Sequence, residues 1–187
     1  MLKIRTPPEG LSTRNLWGRF HATQPGRDLD AAIRIAIDRC ARRMLGASDE
    51  AGPSGSEFPG RSVTGVAGIR ALAQDLPSWA EREDARWLAS YNARAIEKFG
   101  NGGGNFRRLY AGFLAWARER DAALVPATAA ADATRAADAW TALSETLGAA
   151  SQEGSDPALF TRAAEQALAI AEREHALFEA LAHQVAE

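Results

Sequence analysis

Residues 156–187 read DPALFTRAAEQALAIAEREHALFEALAHQVAE, running from Asp156 to Glu187. Asp156 is a residue type that caps helix N-termini, and Pro157 follows at the first helical position, where a missing N–H costs nothing. Leu159, Ala163, Leu168, Ala171, Leu177, Phe178, Leu181 and Val185 then recur at helical spacing, and no stretch alternates with period two. This pattern predicts one helix on the order of 30 residues long, with an apolar stripe that other helices must cover.

Working upstream, the alanine-rich stretch after Pro126 puts Ala133, Ala136, Trp140, Leu143 and Leu147 on one face, which predicts a fifth helix. Before it, Asn105 is placed to cap a fourth helix carrying Phe106, Leu109, Tyr110, Phe113, Leu114 and Ala117. A third runs from about Glu83 through Trp87, Leu88, Tyr91, Ala95, Ile96 and Phe99 to a stop at Gly100. Val66, Ile69, Leu72, Ala73 and Leu76 suggest a second, ended by Pro77. Asp28 begins the first, whose Leu29, Ile33, Ile37, Cys40, Ala41 and Met44 lead to a stop at Gly46. Residues 1–27 read as an irregular arm packing through Leu11, Leu16, Trp17 and Phe20, and the Gly, Ser and Pro between 46 and 64 read as an exposed loop. The expectation is an all-α, single-domain bundle of about six helices over 28–187.

Composition supports one ordinary core. The chain has 187 residues, 46% hydrophobic and 25% charged, enough to bury a core without disulfide or metal staples. Its 22 basic and 24 acidic side chains leave a charge of -2, so no global field draws it to nucleic acid. No apolar run reaches the length of a membrane span and no signal-peptide core is present, so a cytoplasmic protein is expected. A homo-oligomer is compatible with the sequence. The single cysteine, Cys40, excludes an internal disulfide and any multi-thiolate metal site, and reads as a small core residue.

The most distinctive string is Glu97-Lys-Phe-Gly-Asn-Gly-Gly-Gly-Asn-Phe-Arg-Arg-Leu-Tyr-Ala-Gly-Phe-Leu114. Gly102, Gly103 and Gly104 permit backbone angles closed to other residues, and a helix starting at Asn105 would present free N–H groups to an anion. Arg107, Arg108 and Tyr110 add polar groups to that candidate anion site. The bland reading is a glycine hairpin between two helices, with Arg107 and Arg108 solvated. It is not a P-loop, because neither the Lys-Ser/Thr nor a preceding strand is there.

This string resembles the helical region that follows the N-terminal domain in proteins like butirosin biosynthesis protein H, known as domain of unknown function 4872. Gly65-Val-Ala-Gly-Ile-Arg-Ala-Leu-Ala-Gln-Asp-Leu-Pro-Ser-Trp79, Trp140-Thr-Ala-Leu143 and Ile170-Ala-Glu-Arg-Glu-His-Ala-Leu-Phe178 extend the resemblance from about residue 28 to the end. It implies a neighbouring papain-like domain whose cysteine and histidine move an acyl group from a carrier protein to an amine. The residues before 28 are too few for that domain, so its catalytic residues have no counterparts here.

No complete catalytic set replaces them. A Cys–His pair would need His21, His175 or His183 beside Cys40. Glu172 and His175 have the Glu-x-x-His spacing of di-iron bundles, but the second copy is missing, and a polar stripe through His175, Glu179 and His183 is the plainer reading. No metal or cofactor is expected. Trp17, Trp79, Trp87, Trp116 and Trp140 read as core, and Arg42-Arg43, Arg107-Arg108 and Arg118 with Arg120 as solvated faces that an acidic carrier protein would suit. Two functions fit: an accessory or binding domain working with a carrier protein or a papain-like catalytic partner in natural-product biosynthesis, or a small helical enzyme with its site near Gly100–Tyr110, using Tyr110, Arg107 and Glu97. The fold expectation is checked by far-ultraviolet circular dichroism, which should be dominated by helix; strand in more than about a tenth of residues would overturn it.

Overall fold

The computed structural model describes residues 28–46, 63–100 and 102–186. The arm predicted over 1–27 and most of the loop predicted near 46–64 lie outside the described residues, as does Asn101.

Among the described residues six α-helices follow one another: α1 (Leu29–Leu45), α2 (Gly65–Asp75), α3 (Ala85–Glu97), α4 (Arg107–Arg120), α5 (Ala129–Ala150) and α6 (Ala158–Ala186). A 3-10 helix, Leu76–Glu81, continues α2 past Pro77 and buries Trp79, whose indole N–H donates to Asp75 Oδ2 at 2.7 Å. There is no strand among the described residues. The all-α bundle is therefore as the periodicity indicates.

The capping chemistry holds at both ends of α1. Asp28 Oδ1 accepts the Asp30 and Ala31 N–H groups at 3.0 and 3.2 Å, and Gly46 closes the helix with a left-handed φ of 80°. At α6, Asp156 Oδ1 accepts the Ala158 N–H at 2.9 Å.

α5 and α6 form a central antiparallel pair. α3 and α4 pack on α5, whereas α1 and α2 pack on α6. Two apolar cores result. One gathers Ile69, Leu76, Trp79, Ala89, Leu143, Leu147, Phe160 and Ile170. The other gathers Ile33, Ile37, Leu114, Leu124, Ala133, Phe178 and Leu181 around the opposite ends of the same pair.

Several side chains face opposite to expectation. Leu168 is 50% exposed, because the buried stripe of α6 runs through Ala163, Ala167, Ile170, Ala171, Glu174, Leu177 and Phe178. On α3 the buried positions are Ala89, Ala93 and Ile96, so Trp87, Tyr91 and Phe99 point outward. Small alanines let α3 approach α5 closely, and the bulky aromatics are left on the far side. Leu29, Phe106, Leu109 and Trp116 are exposed as well.

α2 starts where the chain nearly touches the end of α1. Gly65 has φ +65°, and a β-carbon there would collide with the main-chain oxygens of Met44 and Arg43, the latter at 2.8 Å. Gly65→Ala should therefore destabilise the protein by at least about 2 kcal/mol, combining left-handed strain with backbone overlap. Urea denaturation checks this, and a loss under about 0.5 kcal/mol would show that α1 and α2 do not meet this closely.

Candidate functional site

The glycine string forms a tight left-handed turn between α3 and α4. Gly102, Gly103, Gly104, Asn105 and Phe106 have φ of 71°, 82°, 55°, 49° and 67° in succession. For Phe106 such a backbone costs about 1–2 kcal/mol, which other contacts of the motif must offset. Gly104 has no room for a side chain: a β-carbon would lie 2.7 Å from that of Ala137 on α5. The turn thus lies flat against α5.

Asn105 does not cap α4. Its own backbone is left-handed, its N–H donates to Ile96 O at 3.0 Å, and Phe106 stands at the cap position with no side-chain capping bond. The N-cap expected from its residue type is lost because the chain enters α4 through left-handed geometry rather than the extended geometry that a capping side chain needs.

Arg107 is not solvated either. Its side chain is 15% exposed and faces Glu174 of α6, which is 0% exposed. Nε and Nη2 of Arg107 donate to the two carboxylate oxygens of Glu174 at 2.8 and 2.6 Å, and Nη1 donates to Asn105 O at 3.0 Å. The indole N–H of Trp140, on α5, donates to the same Glu174 Oε1 at 2.6 Å. Three charge-assisted hydrogen bonds therefore hold one fully buried carboxylate, and the guanidinium also lies 5.9 Å from the centre of the Phe178 ring.

Arg108 turns the other way. It donates to Asp138 Oδ1 and Thr141 Oγ1, both at 3.0 Å, and Thr141 donates to Glu97 Oε1 at 2.8 Å. Glu97 Oε1 also accepts the Gly104 N–H at 3.0 Å. So the candidate residues do not converge on one site: Arg107 and the Asn105 carbonyl join a buried network around Glu174, and Gly104 and Arg108 join a surface network around Glu97. A carboxylate of the chain itself occupies the amide of the glycine turn. Glu97, grouped with Arg107 and Tyr110 for the enzyme reading, belongs to the surface network.

Tyr110 stacks between Phe113 and Phe178, with ring centroids 6.0 and 5.8 Å away. Its hydroxyl is buried without a hydrogen bond of normal geometry, and Cys40 is the polar group beside it. Burial, and then the neighbouring Cys40, push the phenol above its ordinary range, so it stays protonated. Burial likewise raises the Cys40 thiol, against the smaller opposing pull of Tyr110 and Arg107. Besides these, Glu174 and Arg43 act on the thiol, and none of the four is a histidine. A thiol raised in this way is a poor nucleophile.

The other candidates are dispersed. His175 Nδ1 faces Glu179 at 3.3 Å and Glu172 pairs with Arg70 at 3.0 Å, so the Glu-x-x-His pair does not converge. Among the described residues no group of three or more His, Cys, Asp or Glu is placed to hold a metal, and no helix is long and apolar enough to cross a membrane. Members of the basic pairs meet acceptors within the chain: Arg42 with Asp38, Arg118 with the carbonyls of Ala122 and Val125, and Arg120 with Asp30.

Glu174 was not singled out from sequence. Its signal is phase: it stands among Ala167, Ile170, Ala171, Leu177 and Phe178 on the stripe of α6 that packs inward, and a carboxylate there requires a buried cation or donor elsewhere in the chain.

The described residues define an all-helical bundle crossed by the buried Arg107–Glu174 pair. Residues 9–181 match the family described as a domain of unknown function (DUF4872), and the chain belongs to that family. No curated protein and no solved structure matches it.

Because Glu174 is fully buried, Arg107→Ala should cost about 3–5 kcal/mol by leaving its charge unpaired. That is several times the effect of removing a solvated arginine. Replacing both partners together, Arg107→Met with Glu174→Leu, should recover most of that loss. Urea unfolding of the two variants measures this, and a cost under about 1 kcal/mol for Arg107→Ala would show that the pair is not desolvated.

Proposed function

We propose that the protein is a non-catalytic helical module that docks on a papain-like acyltransferase domain, on the same or a separate polypeptide, in natural-product biosynthesis. The resemblance of Glu97–Leu114 and its flanking strings to butirosin biosynthesis protein H-like proteins supplies the partner. The observation that carries the non-catalytic reading is the company of Cys40, a half-buried thiol whose influential neighbours among the described residues include no histidine. Acyl transfer through a cysteine requires a thiolate and a base to form it.

The docking face we assign is the outer side of α3. Trp87 stacks on Tyr91 with centroids 5.2 Å apart, Tyr91 meets Phe99 edge-on at 5.5 Å, and the three are 62%, 48% and 49% exposed. Exposed Trp and Tyr grouped in this way are typical anchors of protein interfaces. Arg42, Arg107, Arg108, Arg118 and Arg120, which would have suited an acidic carrier protein, are engaged within the chain, which favours a partner with apolar groups over the carrier.

The test mixes the chain with a papain-like domain from a butirosin H-type acyltransferase and follows complex formation by sedimentation velocity. The expected result is a complex that the Trp87→Ser/Tyr91→Ser variant weakens at least about tenfold, since interface anchors commonly contribute that much. The chain alone should not cleave an acyl-thioester on a carrier protein. Cleavage by the isolated chain that Cys40→Ala abolishes, or a complex indifferent to the α3 substitutions, would overturn the reading.

A further inference from the structure

Next to the buried pair is an open cleft of about 290 Å³, between the end of α1, the first turns of α2 and the start of α4. Met44, Ile69, Leu72 and Trp140 give it apolar walls, and Asn105 and Arg107 give it a polar edge. The state of Arg107 decides what such a cleft can hold. A guanidinium has five N–H groups. Glu174 takes two of them and Asn105 O takes a third. A fourth points toward the thioether of Met44 at 3.9 Å, a weak acceptor, and Met44 itself lines the cleft.

The edge of Arg107 toward the cleft therefore retains donor capacity, but its charge is already balanced by Glu174. A phosphate or carboxylate entering here would meet the Glu174 charge a few ångströms behind the guanidinium and would gain little net attraction. A neutral carbonyl oxygen can accept the available N–H without that opposition, while a hydrocarbon chain covers Ile69, Leu72 and the Trp140 ring. At roughly 30 Å³ for each water-sized group, the volume suits a ligand on the order of ten non-hydrogen atoms.

We infer that this cleft binds an uncharged carbonyl compound bearing a short apolar chain, with its carbonyl on Arg107 and its chain against Ile69, Leu72 and Trp140. The inference goes beyond the docking face on α3 and needs no partner protein.

The chain has two methionines, Met1 and Met44, so a ¹³C-methyl methionine spectrum gives a reporter inside the cleft, assigned with Met44→Leu. Octanamide is the probe and octanoate its charged counterpart, each titrated at low and high salt. Octanamide should move the Met44 methyl resonance saturably and equally at both salt concentrations, with octanoate about tenfold weaker. Leu72→Trp fills the cleft from its wall and Thr64→Trp from its rim; whichever keeps the wild-type circular dichroism should lose the shift. The inference is overturned if octanamide leaves Met44 unmoved up to its solubility limit, if a folded filling variant binds as wild type does, or if octanoate binds more tightly and salt weakens it. Because no partner is present, failure here leaves the docking reading standing, and failure of docking leaves this one standing.

Discussion

A carboxylate with no access to water is the constraint on which the middle of this bundle is organised. Removing Glu174 from solvent carries a penalty of several kcal/mol, and the surroundings must return it through geometry. They do so with the forked guanidinium of Arg107 and the indole N–H of Trp140. These donors come from the first turn of α4 and the middle of α5, so one residue of α6 fixes the position of two other helices. Hydrophobic contact tolerates sliding along a helix face, whereas a bidentate pair at 2.6 and 2.8 Å does not. The apolar cores on either side are thereby held in a single register.

The glycine turn follows from the same requirement. Arg107 is the first residue of α4, so its guanidinium reaches Glu174 only if the chain leaving α3 turns at once and runs against α5. Five consecutive left-handed residues do this, and Gly104 rests on Ala137 with no space for a β-carbon. The Asn105 carbonyl, placed by this turn, accepts a hydrogen bond from the arginine it precedes. Strain at Phe106 and the buried pair are thus parts of one device: the turn aims the arginine, and the pair offsets the strain of the turn.

Helix positions were legible because caps and periodicity are local. Asp28, Gly46 and Asp156 act where their residue types place them. Side-chain direction was less legible on α3, where alanines and aromatics both repeat at helical spacing. The aromatics look like the core by size, but tight packing on α5 selects the alanines Ala89 and Ala93. Arg107 reads as solvated and Glu174 attracts no notice, because charge normally means surface. Their pairing lies 67 positions apart in sequence, a separation that no local pattern encodes. Asn105 misleads for the opposite reason: its residue type fits a cap, but it equally tolerates left-handed backbone, and the glycines before it decide which property is used.

The motif that carries the family resemblance is therefore occupied with closing the fold. Gly104 is given to Ala137, the Gly104 amide to Glu97, Arg107 to Glu174 and Arg108 to Asp138 and Thr141. Membership of the family then describes how the bundle is assembled, and chemistry has to be sought in groups that assembly leaves over. Two such places stand out in the described residues: the outward aromatics of α3 and the cleft edge of Arg107. They differ in kind. The aromatics are exposed on α3 among the described residues, and the docking proposal rests on that exposure. The arginine edge is a by-product of the buried pair, because a bidentate carboxylate engages one side of a five-donor fork and leaves the other directed at weaker acceptors. A ligand at that edge would strengthen Arg107 without competing for Glu174, so binding there and stability of the bundle should rise together.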